Sequence, residues 1–332
     1  MSLNKNQNLS KDTLKRGIEQ LPTRDGYGHG LVQAGEKDER VVALCADLTD
    51  STRTGWFREK FPGRFVEIGV AEQLLATVAA GMANYGKIPF IASYAAFSPG
   101  RNWEQIRTTA CLNDVPVKIA GCHAGVSVGP DGATHQALED LATMRVVPNM
   151  IVVYPSDAVE AQKATYEAAF NGKPTYLRFA REKTPVFTTE KSPFKIGRAE
   201  VLWEDRDPKV AIVAAGPLVY EALLAAKLLA KTKIGSLVIN SHTIKPIDEQ
   251  TIIKAAKMTG AVVSVEEHQV NGGLGSAISE VLAKNFPVPM EFIGMQDSFG
   301  ESGKPDELLK KFGMKSTDIA SAAKRVIKRK NS

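Results

Sequence analysis

Ionisable or aromatic residues recur wherever a short apolar run gives way to a helical pattern. Asp47 follows the run 41–46, Glu72 the run 65–69, His123 the run 115–121, Asp157 the run 151–155 and Arg181 the run 175–180, while Tyr94 and Phe97 close the run 89–96. In an open parallel sheet such positions lie beyond the carboxyl ends of the strands, where ligands bind. One of them alone would be an ordinary cap or a satisfied histidine; the succession points to a composite site. Glu72, in GVAEQLLATVAAGM, stands at a strand-to-helix junction between apolar neighbours. Two readings are open: a first-turn glutamate complementing the helix dipole, or a partly buried carboxyl sharing a proton with a ligand nitrogen. The segment GCHAGVSVGPDGATHQALEDL sets His123 and His135 around a loop containing Gly125, Gly129 and Gly132. The histidines lack the i, i+4 spacing of a helical metal pair, which favours hydrogen bonding to a ligand. The glycines let the backbone turn tightly and approach that ligand. Thr134 is a candidate cap for a helix over QALEDLATMR.

These residues need strands and helices in alternation to hold them, and the chain supplies both. Apolar runs of strand length alternate with amphipathic stretches such as EQLLATVAAGMANYG and AVEAQKATYEAAF, the pattern of parallel βα units. The fold class is α/β, with two domains, each a mostly parallel sheet with helices on both faces. After Pro185 the periodicity lapses, and it restarts at VAIVAAG (210–216). The expected organisation is a polar N-terminal segment over 1–20, a first domain over 21–187, a linker over 188–208 and a smaller α/β domain over 209–332. In the latter, GGLGSA (272–277) lacks the full G-x-G-x-x-G pattern and reads as a tight turn with close helix packing. His242 and His268 read as structural or interface residues.

Composition bounds the function. The 332 residues are 43% hydrophobic and 24% charged, an ordinary globular balance that excludes disorder. No run approaches the length of a membrane-spanning helix. The polar start MSLNKNQNLSKDTLKRG lacks an apolar signal core, so a cytoplasmic location is expected. Cys45, Cys111 and Cys122 define neither a disulfide framework nor a zinc site. The net charge of +5 is too mild to argue for nucleic acid, and the basic run KRVIKRKNS reads as a solvated helix end.

The succession GVAEQ, IASYAAF, CHAG, DGATHQALEDLATMRVVPNMIVVYPSD and LRFAREKTP resembles the C-terminal half of transketolase, from about Pro22 onward. The resemblance implies a pyrimidine-binding domain over 21–187 and a transketolase C-terminal domain over 209–332. It also implies thiamine diphosphate as cofactor, and transfer of a two-carbon ketol unit from a ketose phosphate to an aldose phosphate. Position by position, Glu72 matches the glutamate that holds a proton at N1′ of the cofactor's aminopyrimidine. Tyr94 or Phe97 matches the aromatic wall under that ring, and Asp47 a residue near the cofactor's reactive end. His135, with a catalytic role, and Asp131 match positions that bond the sugar hydroxyls. Arg24, Ser51, His123 and Arg181 match those that hold the substrate phosphate; Arg178 competes with Arg181, which the REK register favours.

Full-length members of the family carry an additional N-terminal domain whose GDG and downstream Asn bind Mg2+ or Ca2+ and the diphosphate. No GDG occurs here, and PDG at 130–132 lies within the THQ segment. The expectation is therefore the C-terminal subunit of a split transketolase, a homodimer within a heterotetramer, with an N-terminal subunit as partner that holds the metal. Its other partners are sugar phosphates, with no nucleic acid, no membrane and no metal ligand in this chain. The beta subunit of 2-oxoacid dehydrogenases and 1-deoxyxylulose-5-phosphate synthase share the architecture, but DGATHQ speaks against the first and His123, where the second has arginine, against the other. A non-catalytic paralogue is opposed by Glu72, His123 and His135.

Overall fold

Strands in this chain are continuous apolar runs because their sheets are covered on both faces. Val41–Cys45, Lys118–Cys122, Val210–Ala214 and Ser236–Asn240 are buried at every position. In the computed structural model, which describes residues 2–330, Val42 and Leu44 share a core with Leu75, Ala76 and Ala79 of the helix Glu72–Asn84. The alternate residues Val41, Ala43 and Cys45 join Tyr27 and Leu31 of the helix Thr23–Lys37 and Ala161 and Ala164 of the helix Ala158–Phe170. The period of two along each strand thus feeds two layers.

The first sheet runs in the order Thr243–Lys245, Ile151–Val153, Thr175–Arg178, Lys118–Cys122, Ile88–Tyr94, Val41–Cys45, Phe65–Glu67. The last six are parallel, so the loops that follow them open along one edge. The second sheet runs Ser2–Leu3, Glu200–Glu204, Ser236–Asn240, Val210–Ala214, Val262–Gln269, Met290–Met295, the last four parallel. This is the two-unit α/β architecture that the alternation predicts.

The stretch 188–208, expected as a linker, contributes the strand Glu200–Glu204, antiparallel to Ser236–Asn240. Its Leu202 and Trp203 enter the second core while Val201 packs on the first, so it never shows the uninterrupted apolar run of an inner strand. The polar segment 1–20 is also built in: Ser2–Leu3 pairs with Glu200–Glu204, and Gln20–Pro22 with Lys183–Pro185. Thr243–Lys245 returns from the second unit to the edge of the first sheet, antiparallel to Ile151–Val153. The basic run closes the helix Ser316–Lys330, and its final Asn331 and Ser332 lie outside the described residues.

The helix Thr23–Lys37 has no counterpart in the sequence reading, because its glycines at 26, 28, 30 and 35 weigh against a helix. They are there for closeness. A Cβ on Gly26 would overlap the carbonyl oxygen of Ala158, and one on Gly30 would stand 2.6 Å from that of Gln162. Packing against the helix Ala158–Phe170, rather than propensity, holds this helix in place. The helix expected over QALEDLATMR shortens to Asp140–Arg145, and Thr134 does not cap it; its hydroxyl meets His135 Nδ1 at 2.9 Å.

Asp140 is instead claimed by the interior. Arg178, fully buried, donates from Nε and Nη2 to its two oxygens at 2.7 and 3.1 Å, and Tyr176 adds a hydroxyl at 2.7 Å. Burial opposes the guanidinium's charge, but Asp140 more than offsets it and leaves the group above its usual pKa. Removing one partner strands the other charge in the core. Asp140→Ala is therefore expected to lower the unfolding free energy of the full chain in urea by about 3–5 kcal/mol. A loss below about 1 kcal/mol, the range of exposed pairs, would show that the pair does not hold the core.

Candidate active site

His123, Tyr94 and Phe97 stand in a row at the carboxyl edge of the first sheet, with His135 against the side of the last two. Tyr94 ends one strand and is paired in register with Cys122 of the next, so His123 follows directly beside it. His123 stacks on Tyr94 with centroids 3.9 Å apart. Phe97 lies 5.9 Å from Tyr94, and His135 stands edge-on to both, 5.4 Å from Phe97 and 6.1 Å from Tyr94.

Glu72 occupies one end of the row. It opens the helix Glu72–Asn84 and is only 4% exposed. Arg101 Nη1 reaches its carboxylate at 3.4 Å, and the same guanidinium lies over the Phe97 ring, 4.2 Å from the centroid. Asn102 Nδ2 donates to the Glu72 carbonyl oxygen at 3.0 Å and to Ser98 Oγ at 3.2 Å, tying this turn to the helix start.

At the other end is a cavity of about 300 Å3 lined by Arg24, Asp50, Ser51, Arg53, Tyr94, His123 and Arg181. Arg24 Nη1 donates to the Ser51 carbonyl oxygen at 2.9 Å and faces His123 Nε2 at 3.1 Å. A guanidinium can only donate, so Nε2 accepts and the imidazole proton sits on Nδ1. Burial, and then the charges of Arg24, Arg181 and Arg53, push His123 down to about 3, so it is neutral at pH 7. Burial and then Arg53 also lower the pKa of Arg24, whose enclosed Nε has no hydrogen-bond partner. Arg181 Nη1 donates to the Val128 carbonyl oxygen at 2.9 Å and to Asp131 at 3.3 Å.

Two contributors were not visible as such in the sequence. Arg53 donates from Nε to Asp25 at 2.7 Å and faces the cavity; the available signal was a basic residue two places after Ser51. Glu67 accepts from the N–H groups of Asp47 and Gly69 at 2.8 and 3.0 Å and from the Thr49 hydroxyl at 2.8 Å. Partial burial opposes its ionisation, but these donors prevail and hold it below the usual carboxylate range. It fastens the turn carrying Asp47 and Ser51 to the turn leading into Glu72. Asp47 itself is exposed and is held through its main chain.

Asp157 does not belong to the edge. It is buried, caps the helix Ala158–Phe170 through Glu160 N, and accepts from the N–H groups of Phe187 and Thr188. Arg178 is likewise confined to the core. The loop glycines give room to the second unit: a Cβ on Gly125 would overlap the Glu267 side chain, and one on Gly132 would stand 2.5 Å from Ser302 Oγ. The GGLGSA turn is filled from within the chain, Leu274 N and Gly275 N donating to Glu266 at 2.7 and 2.8 Å. His242 lies 3.0 Å from Glu200 and beside the Phe194 ring, between the two units.

The fold and this edge define a two-unit α/β protein whose sheet edge carries aromatic rings between a buried carboxylate and a guanidinium-lined cavity. The chain belongs to the transketolase family. Residues 19–186 match the family model for the transketolase pyrimidine binding domain, and residues 197–319 that for the transketolase C-terminal domain. The chain is 40% identical, over 95% of its length and 97% of the relative's, to the 6-deoxy-6-sulfo-D-fructose transketolase subunit SqwH of a Clostridium species. It is 36% identical to human transketolase, of which it spans 49%. A solved structure titled a split gene transketolase, inactive beta4 tetramer, superimposes with a TM-score of 0.87 at 42% identity, covering 93% of this chain and 99% of that one.

The neutral His123 carries a stability consequence. An unfolded histidine takes a proton near pH 6.5, whereas the folded one stays neutral to about 3. The unfolded state therefore binds more protons between these values, and stability falls as pH drops below 6.5, by up to about 1.4 kcal/mol per unit. The loss in unfolding free energy between pH 7 and pH 5 should be smaller in His123→Gln by about 2 kcal/mol. Equal losses in urea titrations of the two proteins would refute the assignment.

Proposed function

We propose that this chain supplies half of a transketolase active site: it takes the aminopyrimidine of thiamine diphosphate and the sugar, while an N-terminal chain supplies the diphosphate and Mg2+ or Ca2+ site. The observation that carries this reading is the seat between Glu72 and Phe97. There the flat, hydrogen-bearing guanidinium of Arg101 lies 4.2 Å from the Phe97 ring centroid and 3.4 Å from the Glu72 carboxylate. A flat nitrogen heterocycle asks for the same two partners, and with the half-exposed Arg101 displaced toward solvent the residues fit the group. Thiamine diphosphate, when bound, supplies the carbon nucleophile and electron sink for breaking and making the ketose carbon–carbon bond.

Glu72, shielded from water, holds the proton at N1′ of the ring. Phe97 stacks on it, since Tyr94 already has one face covered by His123. Asp47, positioned by Glu67, serves beside the reactive end. His135 meets Thr134 through Nδ1 and offers its other nitrogen, with Asp131, to the sugar hydroxyls. Arg24, His123, Arg181 and the Ser51 hydroxyl receive the terminal anion. That anion is a phosphate or, as the name of the Clostridium relative indicates for that protein, a sulfonate. Val70 and Leu74, 70% and 52% exposed, flank Glu72 with an apolar face on which a second copy packs, giving a homodimer within a heterotetramer.

The isolated chain should transfer no ketol unit and should do so when mixed with an N-terminal section carrying GDG. In that complex Glu72→Gln should keep its far-UV circular dichroism and lose at least about a hundredfold in kcat. Arg181→Ala should raise KM for phosphorylated donors by about thirtyfold and affect short unphosphorylated donors far less. Full turnover by the chain alone, or an undiminished kcat in Glu72→Gln, would overturn the reading.

A further inference from the structure

We infer that Arg53 is a specificity-determining residue of the anion cavity: it provides a third guanidinium and sets a preference for a doubly charged phosphate ester over a singly charged sulfonate. This rests on reading the cavity as the seat of the substrate's terminal group. Arg53 stands just before the helix Thr54–Lys60 with φ 68° and ψ 7°. A non-glycine residue keeps that left-handed conformation where its surroundings impose it. Here they do. Nε donates to Asp25 at 2.7 Å and Nη1 to the Asp50 carbonyl oxygen at 3.2 Å, and the guanidinium lies 5.6 Å from the Trp56 ring centroid. Trp56 is itself pressed between this turn and the helix Thr23–Lys37: a Cβ on Gly28 would come to 2.5 Å from Trp56 and 2.8 Å from Arg53 Cβ. The Arg53 head is therefore placed rather than left to solvent.

The donor inventory shows what it is placed for. Among the described residues, Nη2 of Arg24, of Arg53 and of Arg181 makes no hydrogen bond. All three residues line the same small cavity. Asp25 pairs with Arg53, Asp131 and Glu182 both pair with Arg181, and Asp50 faces Arg58, whereas Arg24 has no ion pair among the described residues. The cavity thus keeps one guanidinium, that of Arg24, without an ion pair and free N–H groups from three lining residues, suited to a tetrahedral oxyanion with three terminal oxygens. Phosphate esters and sulfonates both present that shape. They differ in charge: a phosphate ester approaches −2 above its second pKa near 6, and attraction to each cation scales with that charge.

Calorimetric titration of the full chain at pH 8 with fructose 6-phosphate, 6-deoxy-6-sulfofructose and fructose separates the possibilities. Arg53→Gly keeps the left-handed backbone and removes the head; it should weaken fructose 6-phosphate about tenfold and the sulfonate about threefold, leaving fructose unchanged. Arg53→Lys, which restores the charge, should recover most of the preference. Arg24→Ala should weaken both anionic sugars. If wild type binds neither anionic sugar better than fructose, or Arg24→Ala changes nothing, the cavity is not the anion seat and the inference falls with that reading. If Arg24→Ala behaves as stated while Arg53→Gly causes no loss, or equal fold losses for phosphate and sulfonate, the cavity stands and the role of Arg53 is overturned.

Discussion

The guanidinium of Arg178 reaches three parts of the chain at once. It binds Asp140 at the start of one helix, the Ala137 carbonyl oxygen in the segment that carries His135, and the Glu267 carbonyl oxygen in the second sheet, the last two at 3.0 Å. A buried cation is tolerated only when its acceptors are in place. The strand Thr175–Arg178, the His135 segment and the second unit therefore settle together or not at all. Everything at the sheet edge inherits that constraint: His135 faces Phe97 and Tyr94 because residues 137–140 are fixed from below, and Arg181 reaches the cavity from the end of the same strand.

On this rigid base the edge itself is strained. Asp47, Arg53 and His123 are all non-glycine residues with positive φ, at 56°, 68° and 56°. Such conformations cluster where geometry is imposed by surroundings rather than chosen locally. In each case the imposing partner is identifiable: Glu67 for Asp47, Asp25 for Arg53, and Arg24 with Tyr94 for His123. Keeping His123 neutral lets it accept from Arg24 without adding a further charge to a cavity already rich in guanidinium.

Legibility in the sequence followed burial. Inner parallel strands were plain because both faces are apolar, and the amphipathic helix Ala158–Phe170 stood out in full. Glu200–Glu204 was hidden because an edge strand that divides its side chains between two cores breaks the pattern. The helix Thr23–Lys37 was hidden because its glycines answer to a neighbouring helix, which no local window contains. The residues gathered at the edge were identifiable from motif and position, but their partners were not. The REK register favours Arg181 over Arg178, but nothing in the spacing places Arg178 in the core or distinguishes Asp157 as a cap from a site residue, or Arg53 and Glu67 from ordinary surface charge. Those distinctions are set by contacts between residues far apart in the chain.

The exchange of strands between the two units has a mechanical meaning. Thr243–Lys245 is stitched into the first sheet, and the second sheet takes in both Ser2–Leu3 from the far end of the chain and Glu200–Glu204 from the crossing. A hinge needs a single flexible crossing, and several hydrogen-bonded crossings act instead as bracing. The crossings brace the two units against each other, which leaves any opening of the sheet edge to the side chains and turns at its rim.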